Sequence, residues 1–459
     1  MMNHQVFDFI DKNNDSFLGG LKELIRVESV SSQPAHKKDI LKCAELEAQK
    51  FKEVGLKNVR LLETKGNPLV YGDWLHAKQK PTLLIYGHYD VQPPDPLDQW
   101  KTPPFEPTVR NGNLYGRGTT DNKGQHFSHL CAIEAWLKTI GKLPINIKVV
   151  LEGEEEIGSV SISEFVASNS KIFACDAVLI SDMPWFDFDR PSIAYALKGL
   201  AYFEVKVRGP SHDLHSGLFG GMIRNPAQAL SWMLAKLKNE KEKILIPGFY
   251  DDVETITPEE RKNIQNIPFN PKALLKETGA SDLVSEEGFG PVEHNWTRPT
   301  LDICGIWGGY QGVGAKTIIP AEAFAKVSMR LVPHQDPKKI EKQFGEYLQS
   351  LCPRGVSVSA ECFKGGKAVA IDRHHPYLRK VAGAYEEGFG KKIVFTREGA
   401  SIPVCEAFFE VLKVPIILIG LGLPDDRLHS PNEKISLTNF FDGIKGAALA
   451  YQALGETKK

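Results

Sequence analysis

A chain of 459 residues is longer than one hydrophobic core normally serves, so two domains are expected. Its 42% hydrophobic and 25% charged residues are ordinary for a globular protein, and 56 basic against 57 acidic residues argue against a polyanion-binding surface, hence against nucleic acid as a partner. Residues 1–30 carry Asp8, Asp11, Asp15 and Glu23 without an unbroken apolar run, and seven scattered cysteines include no Cys-x-x-Cys pair. Neither a secretory signal, a membrane span nor a disulfide framework is expected, and a cytoplasmic protein with reduced thiols is.

In chain order, residues up to about Val30 read as helical, and Lys38 to Val54 repeats apolar residues at helical spacing before Gly55. Val59 to Leu62, Leu69 to Tyr71 and Thr82 to Tyr86 read as strands, the last delivering His88 and Asp90. A histidine at a strand end serves as a hydrogen-bonded loop residue or as a metal ligand, and an acid two residues on can fix the ring of a ligating imidazole. A Pro-rich loop leads to Asp121 in a Gly-flanked turn, then to a helix from Gln125 to Ile140 closed by Gly141. The apolar run Ile145 to Leu151 opens directly into Glu152, Glu154, Glu155 and Glu156, and Asp176 to Ile180 runs into Asp182.

From Ser192 the pattern changes. Ala201 to Val207 alternates apolar and polar residues, as an antiparallel strand with one wet face does. Asn225-Pro226 opens a helix, residues 239–298 form a Pro-punctuated insertion with short helices, and Ala321 to Val332 resumes the alternation. A helix from Asp336 and a strand from Val356 to Phe363 follow, after which the α/β pattern returns with a helix from Pro376 and a strand at Pro415 to Ile419. The fold class expected is α/β: residues 1–190 and 366–459 form one domain with a mixed, mostly parallel sheet flanked by helices, and residues 191–365 form an inserted α+β domain. Gly312 to Thr317 imitates a phosphate loop but has Ala315 where Gly must precede the lysine.

The carboxyl ends of core strands are where open α/β sheets place ligands. Here those ends and the adjoining loops carry His88, Asp121, Glu155, Glu156, Asp182, Asp425, Asp426 and His429. Crowded carboxylates raise one another's pKa, so they point into water, hold protons or surround a cation. Nitrogen and oxygen donors without thiolate suit Zn, Mn or Co, and more carboxylates than one ion needs point to two ions, one carboxylate bridging and another left as base.

The motifs YGHYDV (86–91), YGRGTTDNKG (115–124), EGEEEIGS (152–159), ISD (180–182), DLHSG (213–217), KTIIP (316–320), MRLVP (329–333), REGASIP (397–403) and HSPNEK (429–434) occur in this order. Through them the chain resembles the M20 metallopeptidases, and among these the dipeptidases of the carnosinase or cytosolic non-specific dipeptidase type. The resemblance implies that Asp121 bridges two divalent ions, Zn or Mn, with His88 and Asp182 completing one site and Glu156 and His429 the other. It makes Glu155 the general base toward a metal-activated water, and Asp90 the residue that orients His88. It also implies that 191–365 is a lid and homodimerisation domain, that His215 reaches a neighbouring subunit's site, and that Arg330, Thr317, Gly399 and Ser401 contact a small peptide substrate. An amidohydrolase acting on N-acyl or N-carbamoyl amino acids is the alternative. Asn122 stands where many relatives have a second Asp, and Ala400 where Gly is common; if the backbone at 400 needs positive φ, alanine there is strained.

Overall fold

In the computed structural model, which describes residues 2–457, the strand Thr82–His88 lies at the heart of the largest sheet. It pairs in parallel with Asn146–Glu152 on one side and Ala177–Ser181 on the other, and Ile416–Ile419 extends the parallel set. Leu69–Trp74 and then Lys57–Leu62 continue the sheet antiparallel beyond Asn146–Glu152. Parallel pairing, expected for most of the sheet, thus occupies its centre. The central strands are buried almost end to end, which is why they read as unbroken apolar runs rather than alternations. Their shared direction brings His88, Glu152, Ser181 and Ile419 to one edge.

Beneath that sheet runs the helix Lys123–Ile140, whose apolar residues are buried on nearly every side. Gly141 ends it at φ 75°, a left-handed cap that glycine adopts without a Cβ clash. The helices Pro376–Phe389 and Leu437–Gly455 cross where a Cβ on Gly388 would lie 2.7 Å from Gly446 Cα, so only glycine permits the approach. No helix among the described residues is long and apolar enough to cross a membrane.

The chain divides into two units. The first runs to Tyr195 and takes up Ile371–Thr396 and the residues from Pro403 onward; the second is Ala196–Ala370 with Arg397–Ile402. Sequence texture sets the changeover near Pro191 and the return at Gly366, but Ser192–Leu197 is buried throughout and pairs antiparallel with Ile416–Ile419. A strand buried along its whole length needs cover on both faces, and the first sheet supplies a neighbour for it.

The second unit is built on an antiparallel sheet in the order Thr300–Gly308, Glu322–Leu331, Gly199–Arg208, Ser357–Gly366. Phe203, Val205 and Val207 face a core closed by the helices Pro226–Leu234 and Pro337–Leu351, with Phe203 and Phe344 rings 4.8 Å apart. Tyr202, Glu204 and Lys206 alternate with them on the half-exposed face. Asn225 and Asp336 cap the two helices through their side-chain oxygens, with proline at the first helical position of each. Three short helices, Pro258–Asn266, Pro271–Thr278 and Pro291–Thr297, make up the insertion. The ion pair Arg261–Glu293 joins two of these helices to each other, and Arg397–Glu260 ties the insertion to the 397–402 turn of the same unit.

Candidate metal centre

His88 ends its strand fully buried, and its Nδ1 lies 3.1 Å from the backbone carbonyl of Asp90. A ring that donates there presents an Nε2 lone pair on its far side. That Nε2 is buried without a hydrogen-bond partner, 3.1 Å from Asp121 Oδ1 and 3.7 Å from Asp182 Oδ1. The Asp90 carboxylate meanwhile accepts the backbone N–H groups of Glu155 and Glu156, at 3.2 and 3.1 Å, fixing the acidic turn beside the imidazole.

Asp121 lies in a loop gripped from beneath by Glu433. This fully buried carboxylate accepts from the backbone N–H groups of Gly118, Thr120 and Asp121 and from Arg117 Nη1, at 2.9, 2.9, 3.1 and 2.7 Å. Asn122 donates to Asp182 Oδ1 and to the Ser181 carbonyl, both at 2.6 Å, and accepts from the His88 backbone N–H at 3.3 Å. An aspartate at 122 would instead set an anion against Asp182.

Two groups of donor atoms result, each within 4.8 Å: His88, Asp121 and Asp182, and Asp121, Glu156 and His429. Asp121 belongs to both. It faces His88 with Oδ1 and, at 3.0 Å, the His429 Nε2 with Oδ2, while His429 Nε2 lies 3.3 Å from Glu156 Oε2. Four-coordinate Zn with bonds near 2.0–2.1 Å separates its donors by roughly 3.3 Å, the range spanned here. The orphaned imidazole nitrogen, the N and O donors and the shared carboxylate all fit two divalent ions.

The electrostatics agree with that fit. Hydrogen bonds donated to Asp121 and then to Glu156 push His429 up to about 10, while the two imidazoles hold Asp121 below the usual carboxylate range despite its burial. Burial works to lower the His88 imidazole, but the surrounding carboxylates, Asp182 foremost, outweigh it and raise it well above the usual histidine range. Glu155 is pushed well up by burial, reinforced by Asp182, Glu156 and Asp121. Its carboxyl group makes no hydrogen bond to another described residue.

The remaining acids of the sequence expectation go elsewhere. Glu152, lifted to about 8 chiefly by burial, is bonded to Tyr86 and Ser159, and Glu154 accepts from the backbone of Asn67 and Ser161. Asp425 and Asp426 each pair with Lys434 Nζ at 2.8 Å and belong to neither donor group. His429 adopts φ 58° in a loop anchored by these pairs. Glu433 and Asn122 have no assigned part in the sequence expectation. Only HSPNEK could have signalled Glu433, whose partners are more than 300 residues away.

Of the residues expected at the substrate, Arg330 Nη1 donates to Ser401 Oγ at 3.0 Å, and the Ser401 hydroxyl donates to the Lys198 carbonyl. His215, exposed, accepts the Gly217 N–H on Nδ1 and stands opposite Ile318 on a two-stranded ribbon; the neighbouring Thr317 carbonyl accepts from Ser216. A Cβ on Gly399 would lie 2.2 Å from Asn295 Oδ1, so no larger residue fits without a shift. Ala400 is not among the residues with positive φ, and the strain conditionally expected there is absent.

Residues 84–453 match peptidase family M20/M25/M40, and the chain belongs to that family. It is 34% identical to the Cys-Gly metallodipeptidase dug1 of Schizosaccharomyces pombe, over 96% of both chains, and 33% identical to the Beta-Ala-His dipeptidase of Homo sapiens, over 96% of this chain and 90% of that one. Among solved structures, that of the di-peptidase Dug1p from Saccharomyces cerevisiae superposes with a TM-score of 0.85 at 30% identity, covering 100% of this chain and 99% of the other.

Proposed function

We propose that the protein is a dipeptidase that hydrolyses the peptide bond of small free peptides with two divalent ions, Zn or Mn, held by His88, Asp121, Asp182, Glu156 and His429. The observation that carries this reading is Asp121, whose two oxygens face two different imidazoles. The dipeptidase names of relatives aligned over nearly the whole chain support the substrate class. Ions bound there would supply Lewis-acid polarisation of the scissile carbonyl and acidify water.

The chain's own groups do the rest. Glu155 takes a proton from the attacking water and returns it to the leaving amine, a role favoured by a carboxyl group that burial has raised well above the usual carboxylate range. Asp90 orients His88 and holds the turn that carries the base. Arg330, steadied by Ser401, receives the substrate carboxylate, with Thr317 and Gly399 as further contacts. His215 completes a neighbouring subunit's site in a cytoplasmic homodimer formed through residues 191–365. The exposed Leu218, Met222 and Ile306 support an association face on that unit.

The test is hydrolysis of free-amino dipeptides beside N-acetyl amino acids and a tripeptide, after chelation and after adding back Zn or Mn. Metal-restored cleavage of dipeptides is expected. Cleavage of the acyl compounds alone would make the protein an amidohydrolase, and inactivity at full metal loading would leave it a catalytically silent scaffold.

A further inference from the structure

Within the second unit, one charged side chain is left uncompensated by the groups considered so far. Lys198, at the entry to the strand Gly199–Arg208, is 3% exposed, yet no carboxylate among the described residues forms an ion pair with it. Its backbone is stitched to the 397–402 turn: Lys198 N–H donates to the Ala400 carbonyl at 3.0 Å, and its carbonyl accepts the Ser401 hydroxyl. That hydroxyl accepts from Arg330 Nη1 in turn. Strand pairing sets Arg330 opposite Leu200 and Leu331 opposite Gly199, which brings the two cations to the same end of the same sheet.

Burying an ammonium beside a guanidinium with no counter-charge is costly, and proteins retain such an arrangement where an anion completes it. The acid that Lys198 feels, Asp302 on the strand Thr300–Gly308, is exposed and forms no ion pair with it. We propose that Lys198 is a second anion-binding group, which together with Arg330 holds the terminal carboxylate of the substrate. This inference rests on the dipeptidase reading for the nature of that anion. A carboxylate offers two oxygens and about four acceptor sites, enough for a guanidinium on one oxygen and an ammonium on the other. The Ser401 hydroxyl, spent on the Lys198 carbonyl, keeps the guanidinium in place rather than neutralising it.

The arrangement carries a pH signature. Burial, then repulsion by Arg330, drives the Lys198 ammonium down to about 7, against a partial pull from Asp302; His294, on the helix Pro291–Thr297, is itself lowered in part by Lys198. Below pH 7 the lysine is charged before the ligand arrives. Above it the ligand must draw in a proton, so carboxylate affinity falls as pH rises from 7 to 9. Arginine at 198 stays charged throughout and removes that dependence.

The probe is a glycyl-leucine analogue with its peptide carbonyl reduced to methylene, which cannot be cleaved, together with its carboxy-terminal amide. Both are titrated calorimetrically into the metal-loaded wild type, Lys198→Met and Lys198→Arg. Lys198→Met is expected to cut the preference for carboxylate over carboxamide by about 10- to 100-fold. Lys198→Arg is expected to keep the preference and to flatten its decline between pH 7 and 9. A preference within twofold of wild type in Lys198→Met overturns the inference, as does a wild type without preference. If Lys198→Met does not fold, identical pH dependence in the wild type and Lys198→Arg overturns it. Dipeptide hydrolysis by the same wild-type preparation separates the two claims: preference without hydrolysis defeats the dipeptidase reading alone, and hydrolysis with unchanged preference in Lys198→Met defeats this inference alone.

Discussion

The metal centre of the first unit and the Lys198–Arg330 pair of the second handle charge in opposite ways. In the first, carboxylates outnumber imidazoles, but each imidazole sits against an acid that stabilises its charged form, and His429 rises to about 10. In the second, like meets like, and Lys198 falls to about 7. On the proposed reading, one cluster exchanges protons for cations, while the other gains its proton when an anion arrives. Both are held by backbone hydrogen bonds to buried or half-buried side chains, Glu433 beneath Asp121 and Ser401 beneath Lys198, so their geometry is fixed before any ligand binds.

The largest effect is expected where the base is separated from the ligands. Glu155→Gln removes the proton acceptor while leaving both donor groups intact, and turnover is expected to fall by about 10²–10⁴-fold with metal content unchanged. Single-turnover rates beside elemental analysis check this; a near-normal rate would mean that another group is the base. A smaller effect is expected for Glu433→Gln. An amide cannot accept all four hydrogen bonds that now reach this side chain, so the Asp121 loop loosens and metal affinity drops about 10- to 100-fold. Competition with a chromogenic chelator measures it, and unchanged affinity in a folded variant would make the clamp irrelevant to the ions.

The two regions also differ in how far the sequence reveals them. Strand ends and adjoining loops single out His88, Asp121, Glu155, Glu156, Asp182, Asp425, Asp426 and His429, because parallel strands present their carboxyl ends at one edge, and only the resemblance of the motifs separates His88, Asp121, Glu156, Asp182 and His429 as ligands. The fates of Glu152, Glu154, Asp425 and Asp426 could not, since each is decided by a partner that spacing does not reveal, such as Lys434 or the Ser161 backbone. Lys198 was still less legible. Between two strands a lysine reads as a solvated connection, and its backbone contacts with a turn some 200 residues later are not visible in local spacing. The pairing of Ser192–Leu197 is hidden for a related reason: its partner lies more than 200 residues downstream.

If one aspartate joins two ions, the metal count of the wild type, Asp121→Ala and His429→Ala after loading with Zn and gel filtration shows it. Asp121 belongs to both donor groups and His429 to one, so two ions per chain are expected in the wild type, about one in His429→Ala and none retained in Asp121→Ala. A folded Asp121→Ala that keeps one or both ions would contradict the shared bridge and, with it, the account of the site.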